Sequence, residues 1–492
     1  MADYVLGIDQ STQGTKALLF DESGAMICRA DLPHRQIVTE QGWVQHDPEE
    51  IYRNTVQVVK VLVEKSGIDK NDICVLGISN QRETALVWDK ETGTPIYDAV
   101  VWHCARGAAV CDAIEADGHA EMIRSHTGLQ LSPYFSAGKI AWILQTVPGA
   151  QERADRGELC CGTIDSWLIY KLTGGKAFKT DFSNAARTQL FNIRTLKWDE
   201  EVCGCFGISR DCLADVVDSD GWFGETDFDG YLDHKIPIHS AMGDSNGALF
   251  GQGCLSRGMI KTTYGTGASI MMNIGKEPVF GDGIVTSLAW SRGGEVHYVL
   301  EGNINYTGAV ISWLKDDVQL IQSPGETSEL AKRANQQDTT YLVPAFTGLG
   351  APYWDSDAKA VIYGMTRSTG KAELVKAGLE SIAYQITDVI EAMGEQSGIV
   401  IEELRVDGGP TRNEYLMQFQ SDIAQIPVQV PQAEELSGIG AAYMAGIGAG
   451  VYKLEDVMAE TKRTKYEAVM AKEVRTAKYN GWKEAVSKVL TK

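Results

Sequence analysis

The chain has no run of the roughly 18 apolar residues that a membrane-spanning helix needs, so no span is expected. It has no basic opening followed by an apolar stretch. MADYVLGIDQ goes straight into a strand pattern, and no signal peptide is expected. Positive charge is scarce: 45 Lys plus Arg face 66 Asp plus Glu, a net charge of −21 at pH 7. That balance excludes nucleic acid and an anionic membrane surface as partners. It does not exclude ATP, whose phosphates are neutralised locally by Mg²⁺ and backbone N–H groups. Cysteine is absent beyond Cys254, and the ten present begin at Cys28. Neither Cys203-x-Cys205 nor the adjacent Cys160 and Cys161 fits a zinc spacing with histidine partners. They read as reduced structural thiols, which points to the cytoplasm. A Walker A loop is missing too. GMTRSTGKA at 364–372 has one residue too many between its glycines and Ala372 where Mg²⁺ needs Ser or Thr. The HRD and DFG patterns of protein kinases are absent.

What is present is α/β patterning on a chain of 492 residues, too long for a single core. YVLGID, KALLF and AMICRA read as three strands joined by the turns QSTQGT and DESG. A helix is expected over about 48–65, where Ile51, Val56, Val59, Leu62 and Val63 recur at helical spacing, and CVLGIS then reads as a buried strand. Strands alternating with helices predict a sheet covered on both faces. The opening recurs near residue 259: MIKTTYGTGASIMMNIG reads strand, Gly/Thr turn, strand. LRVDGGPTRNEYLMQFQSDI reads strand, Gly-Gly turn, helix. Two α/β domains with turns facing a cleft are expected, 1–252 and 253–492. FGQGCLSRG at 250–258 is the break. The stretch 459–491 is expected to be one charged helix, with Val469, Val474, Trp482, Val486 and Leu490 on its apolar stripe.

Chemistry concentrates at a few places. GDSNGALFGQ sets Asp244 after a predicted strand and at a small-residue helix start, and it is expected to be a buried acid. Gly14 in DQSTQGT, and Gly265 and Gly267 in YGTG, allow close backbone approach. Thr12 and Thr266 offer hydroxyl donors to phosphate. Either turn alone is an ordinary hairpin; the pair favours a phosphate cradle. Asp9 closes its strand where a carboxylate holds Mg²⁺ or caps the turn. Arg82 and Glu83, in SNQRETALVW, join a donor fork to an acceptor, which suits a polyol; a surface ion pair is the plainer alternative. Trp102 either stacks on a carbon skeleton or packs in the core.

GIDQSTQGTKA, SNQRETALVW, VWHCAR, SPYFSAGKIAWIL, GDSNGALFGQ, TTYGTGAS, PAFTGLGAPYWD, GLESIAYQ and VDGGPTRNEYLMQFQSDI occur in one order along nearly the whole chain. In this the chain resembles the FGGY carbohydrate kinase family, in its glycerol kinase-like branch. The resemblance implies two actin-like, ribonuclease H-like α/β domains flanking a nucleotide-binding cleft, with ATP and Mg²⁺ as cofactors. It implies the polyol set Arg82, Glu83, Trp102, Tyr134 and Asp244, with Asp9 organising the metal. On the nucleotide side it implies Thr12, Lys16 (an Arg is usual), Thr266, Gly308, Gly409 and Asn413, to which the reading of the YGTG turn adds Gly265 and Gly267. Gln13 and Gly14 stand where the family has Thr and Ser, and Ser312 where it has Gln. A homo-oligomer, dimer or tetramer, is the expected assembly. Segment 225–238 lacks the Gly/Lys/Arg-rich loop with which some bacterial members bind a sugar bisphosphate.

The expected reaction is phosphoryl transfer to a polyol hydroxyl. Asp244 accepts its proton, and the N–H groups of both hairpins steady the γ-phosphoryl oxygens. Two pocket positions depart from the glycerol pattern: Ser245 stands for Gln and Ser269 for Phe. Both remove bulk, so a four- or five-carbon polyol or ketose is expected, with glycerol a weaker substrate. An actin-type ATP-driven switch or a sugar-binding regulator is the competing class, which needs no polyol set.

Overall fold

The first strand, Tyr4–Gln10, is buried almost throughout because a layer of structure covers it on each side. A computed structural model describes residues 3–459 and 462–491 of the chain. In it Tyr4–Gln10 pairs antiparallel with Gly14–Phe20, and that strand with Met26–Pro33. On its other side Tyr4–Gln10 runs parallel to Ile73–Asn80, which runs parallel to Ile236–Gly243. Gly224–Thr226 completes a six-stranded sheet. Leu6, Ile8, Ala17 and Leu19 bury one face against helix Pro48–Ser66, whose Ile51, Val56, Val59, Leu62 and Val63 are the expected stripe. Asp47 caps that helix by accepting the Glu49 N–H, and Gly67 ends it in the left-handed region.

The opposite face, with Val5, Leu18, Phe20 and Val75, is covered by helix Leu436–Gly448. This helix crosses Asp244–Gly251 backbone to backbone. A methyl group on Gly440 would sit 1.9 Å from the Gly247 carbonyl oxygen, so only glycine permits the approach.

The motif recurs in the second unit. Ile260–Tyr264 pairs antiparallel with Ala268–Gly275 and parallel with Leu404–Gly408, in a seven-stranded sheet. One compact unit comprises Met1–Gly253, Ser287–Tyr298 and Glu435–Glu460; the other comprises Cys254–Thr286, Val299–Glu434 and Thr461–Lys492. The sequence reading has a single cut between 252 and 253, and it has no counterpart to the two later segments that belong to the first unit.

The expected helix over 459–491 is corrected. Residues 460 and 461 lie outside the described residues. Arg463–Tyr466 is an edge strand paired antiparallel with Val428–Pro431, and the helix spans only Lys472–Ser487. Val469 and Val474 are exposed, while Tyr479, Trp482, Ala485 and Val486 are buried. The helix is docked by Asp388, a buried carboxylate on helix Lys371–Ser397. It accepts from Tyr479 Oη at 2.6 Å, Trp482 Nε1 at 2.8 Å, Tyr353 Oη at 2.9 Å and Lys483 Nζ at 3.0 Å.

Candidate active site

Asp244 is the first residue of helix Asp244–Gly251, entered directly from strand Ile236–Gly243. Its side chain is 37% exposed, so the expected buried acid is an open one: it stands where the strand leaves the sheet. Oδ1 accepts from the Ser245 N–H at 2.6 Å and lies 3.6 Å from Arg82 Nε. Arg82 and Glu83 are both almost wholly buried, which rules out the surface ion pair. Arg82 Nε is 3.9 Å from Glu83 Oε1, and the same oxygen accepts from Arg187 Nε at 2.6 Å. Glu83 has φ 59°, a left-handed conformation that a glutamate adopts only when its surroundings enforce it.

Behind these side chains a buried polar network ties the strand ends together. Asp181 accepts from the Ser183 hydroxyl at 3.0 Å and the Ser219 hydroxyl at 2.7 Å. Ser183 Oγ in turn accepts the Gly243 N–H at 3.0 Å, next to Asp244. Asn184 and Asn80 exchange amide hydrogen bonds at 2.9 and 3.0 Å. Asn246 Oδ1 accepts from Arg82 Nη1 at 3.3 Å, while its Nδ2 donates to the carbonyls of Leu288 and Ala289.

The first hairpin is held just as firmly. Ser11 N–H closes the turn on the Gly14 carbonyl at 2.9 Å, and Gln81 N–H donates to the Gln10 carbonyl at 2.7 Å. A side chain at Gly14 would strike the Leu32 carbonyl at 2.5 Å. Thr12 Oγ1 accepts from Trp102 Nε1 at 3.0 Å, and the Trp102 and Tyr134 rings meet edge to face at 5.5 Å. Gln13 is exposed at the tip. Lys16 sits opposite Asp9 in the register and is ion-paired to Glu435, which also holds Arg29 at 2.7 Å. Asp9 accepts from Ser79 Oγ at 3.0 Å. Burial pushes its pKa up to about 6; Lys16 opposes the rise and the charge of Asp244 adds to it.

In the second unit, Gly265 N–H closes its own turn on the Gly267 carbonyl at 2.7 Å. Like the Ser11 N–H, it is therefore spent within the hairpin and not offered to a phosphate. The buried Thr307 hydroxyl meets the carbonyls of Gly265 at 2.8 Å and Gly267 at 2.7 Å, and Thr266 is exposed at the tip. Helix Gly308–Ser312 follows Thr307 directly and leads into a cavity of about 660 Å³. Gly308, Ser312, Gly409 and Asn413 all line it, with Lys315 and Thr327. Asn413 Nδ2 donates to Thr327 Oγ1 at 2.9 Å and its Oδ1 caps helix Glu414–Ala424, so Asn413 shapes the wall.

The first unit thus gathers Asp9, Thr12, Gln13, Gly14, Lys16, Arg82, Glu83, Trp102, Tyr134, Asp244 and Ser245. Gly265, Thr266, Gly267, Gly308, Ser312, Gly409 and Asn413 belong to the second, as does Ser269, whose buried hydroxyl has no hydrogen-bond partner. Sequence reasoning missed Arg187, Asp181, Glu435 and Thr307. No local pattern marks them, because each has a partner distant in sequence: Glu83, Ser219, Lys16 and Gly265 respectively.

Two family models match the chain. The N-terminal domain of the FGGY family of carbohydrate kinases covers residues 4–251, and its C-terminal domain covers residues 260–449. The chain is 50% identical over 491 residues to glycerol kinase 1 of Thermotoga maritima, covering 99% of this chain and 100% of that protein. It is 46% identical to the glycerol kinase of Caldanaerobacter subterraneus subsp. tengcongensis, covering 100% and 99%. The crystal structure of Plasmodium falciparum glycerol kinase with ADP superposes with a TM-score of 0.94 at 35% identity, covering 100% of this chain and 99% of that one.

Proposed function

We propose, from the premise that the chain belongs to the FGGY family of carbohydrate kinases, that it transfers the γ-phosphoryl group of ATP to a hydroxyl of glycerol. The observation that carries the acceptor assignment is the convergence of Arg82, Glu83 and Asp244, with Arg82 Nε 3.9 Å from Glu83 and 3.6 Å from Asp244. A guanidinium fork offers donors, two carboxylates offer acceptors, and the Trp102–Tyr134 pair offers an apolar face. A small polyol presents hydroxyls and carbon faces that match all three.

In this reading Arg82 and Glu83 orient the acceptor, and Asp244 takes the proton of the attacking hydroxyl late in the transfer. Its openness suits a group that must touch substrate. In each unit taken by itself, the hairpin threonine, Thr12 or Thr266, offers a hydroxyl to a phosphate, with those hairpin N–H groups not used in the turn. Gly308, Ser312, Gly409 and Asn413 border the nucleoside cavity. The donor set around Asp9 fits Mg²⁺. The charges of Asp9 and Asp244 act on one another, and their carboxylate oxygens are hard ligands of the kind Mg²⁺ takes. Asp9 would hold the ion directly or through water, and when bound it neutralises charge on the nucleotide phosphates.

A second reading, a four- or five-carbon polyol or ketose, retains one specific support. Ser245 is a short, partly exposed side chain beside Asp244. ADP release measured across glycerol, tetritols, pentitols and ketopentoses decides. A kcat/KM at least about tenfold higher for glycerol supports the first reading, and the same margin for a larger acceptor transfers the assignment to the second. Under the second reading, Ser245→Gln with Ser269→Phe shifts preference toward glycerol. Steady ATP hydrolysis indifferent to every acceptor sinks both and favours the ATP-driven switch.

Among the described residues no helix is long and apolar enough to cross a membrane, and all ten cysteines are free thiols. We infer a cytoplasmic homo-oligomer, dimer or tetramer; a monomeric mass in light scattering refutes the assembly.

A further inference from the structure

Lys139 lies in the first turns of helix Ser136–Thr146 and has no exposed surface. Both facts are unfavourable. A lysine is almost never fully buried without a partner, and a helix N-terminus carries positive partial charge that repels a cation. The side chain folds back toward the helix start, as long side chains on helices do. There the ammonium donates to three consecutive carbonyls: Pro133 at 2.8 Å, Tyr134 at a shorter distance, and Phe135 at 3.1 Å. Three N–H donors meet three acceptors, so the group is complete only when protonated.

This cation belongs to an assembly that ends at the acceptor groups. The Glu83 charge favours the protonated form of Lys139, and the Ser136 hydroxyl donates to the Glu83 carbonyl at 3.1 Å. Arg187 grips the Glu83 carboxylate and lies over the Phe135 ring at 5.1 Å. The middle carbonyl that Lys139 holds is that of Tyr134, whose ring packs against Trp102.

We propose that Lys139 is a positioning residue for acceptor binding. By drawing the 133–135 carbonyls onto one buried cation beside Glu83, it fixes the Tyr134 ring and the Glu83 carboxylate where the polyol needs them. The inference rests on the polyol reading above. Without the ammonium, three carbonyls lose their donor and the loop before the helix relaxes. Glu83 is then left with its arginines alone.

The same geometry makes acceptor affinity depend on pH. Burial lowers the Lys139 pKa to about 7, while Glu83, Cys104 and Cys111 act to raise it. The other group facing it, His103, is itself pushed down by burial and by the Lys139 charge. Burial pushes the Cys111 thiol up to about 11, so that thiol stays neutral through the physiological range. A neutral amine has two N–H groups and a lone pair, and cannot serve three carbonyls. Acceptor affinity is therefore full below about pH 7 and falls as the pH rises through it.

The test is steady-state kinetics of the wild type, Lys139→Met and Lys139→Arg, with glycerol and ATP varied separately from about pH 6 to about pH 8.5. At the acidic end Lys139→Met is expected to raise KM for glycerol about tenfold or more, with kcat and the KM for ATP within about threefold. The wild-type KM for glycerol should climb on the alkaline side. The Met variant should show no climb, and the Arg variant should recover part of the acidic-limb affinity without it. Equal losses in kcat and both KM values, or a climb that survives in Lys139→Met, overturn the inference. If Lys139→Met does not fold, the wild-type profile decides, since a KM for glycerol that is flat across the range also overturns it. A wild type that turns over no acceptor refutes the proposed function; wild-type turnover with an indifferent Met variant refutes only the role of Lys139.

Discussion

Gly440→Ala tests how the acid-bearing helix is placed. The added methyl lies 1.9 Å from the Gly247 carbonyl oxygen and 2.7 Å from its carbon. Ordinary contact needs about 3.4 Å, so the two helices must part by roughly 1.5 Å. Both clashing groups are backbone, so no rotamer change relieves them. Overpacking of this kind costs about 1–3 kcal/mol, and here the upper end applies. Alanine returns at most about 1 kcal/mol of helix propensity. A net loss of about 2 kcal/mol follows, a fall in Tm of roughly 3 °C for a unit of this size. The loss should be specific. Asp244 begins the displaced helix, so KM for the acceptor rises, while ADP affinity by calorimetry holds because the cavity proposed for the nucleoside is lined wholly by residues of the other unit. Gly204→Ala is the control: it lies within helix Glu200–Phe206 with nothing within 4 Å of the new methyl. It should be neutral or stabilising by up to about 1 kcal/mol. If Gly440→Ala melts with the wild type, or Gly204→Ala loses as much, the reasoning fails.

Asp244→Asn should lower kcat by ~10²–10⁴ and leave Tm within about 2 °C, because the side chain is open rather than packed; turnover within tenfold of wild type removes the base assignment. Asp388→Leu strands the Tyr479 and Trp482 donors in the core and should cost about 3–5 kcal/mol, freeing helix Lys472–Ser487 to proteolysis; an unchanged melt and an intact C-terminus count against the docking account. His46 is buried, and burial together with the neighbouring His34 lowers its pKa from 6.5 to about 3. The unfolded chain thus takes this proton near pH 6.5 and the folded protein only near 3, so stability is complete above 6.5 and is lost as pH falls through that window. His46→Asn should flatten this acid limb in urea titrations; an unaltered limb assigns it elsewhere.

The parts legible in the sequence are those written locally. A Gly/Thr turn between two apolar runs names both hairpins, and helical spacing names Pro48–Ser66. The Arg82–Glu83 pair could be singled out, but not the buried partner of its carboxylate, Arg187, about a hundred residues later. Lys139 reads as the ordinary polar member of SAGKIAWIL; only the turned-back side chain and the three carbonyls distinguish it. Arg463–Tyr466 is a strand because Val428–Pro431 lies beside it, a pairing that composition does not encode. LSGIGAAYMAGIG reads as a small-residue helix of any domain. Its place in the first unit follows from close approaches at Gly77, Gly247 and Gly251, all far away in sequence.

Helix Leu436–Gly448 also sets the order in which the molecule can be made. On the ribosome, residues up to 253 emerge about 180 residues before this helix does. At 5–20 residues per second that is a wait of roughly 10–40 s. Throughout it the face holding Val5, Leu18, Phe20 and Val75 has no cover. The first half of the chain therefore cannot finish folding as it is synthesised, and release of the C-terminal residues is what completes the N-terminal half. A chain truncated before residue 435 should present that apolar face to chaperones instead of yielding a soluble acceptor-binding fragment.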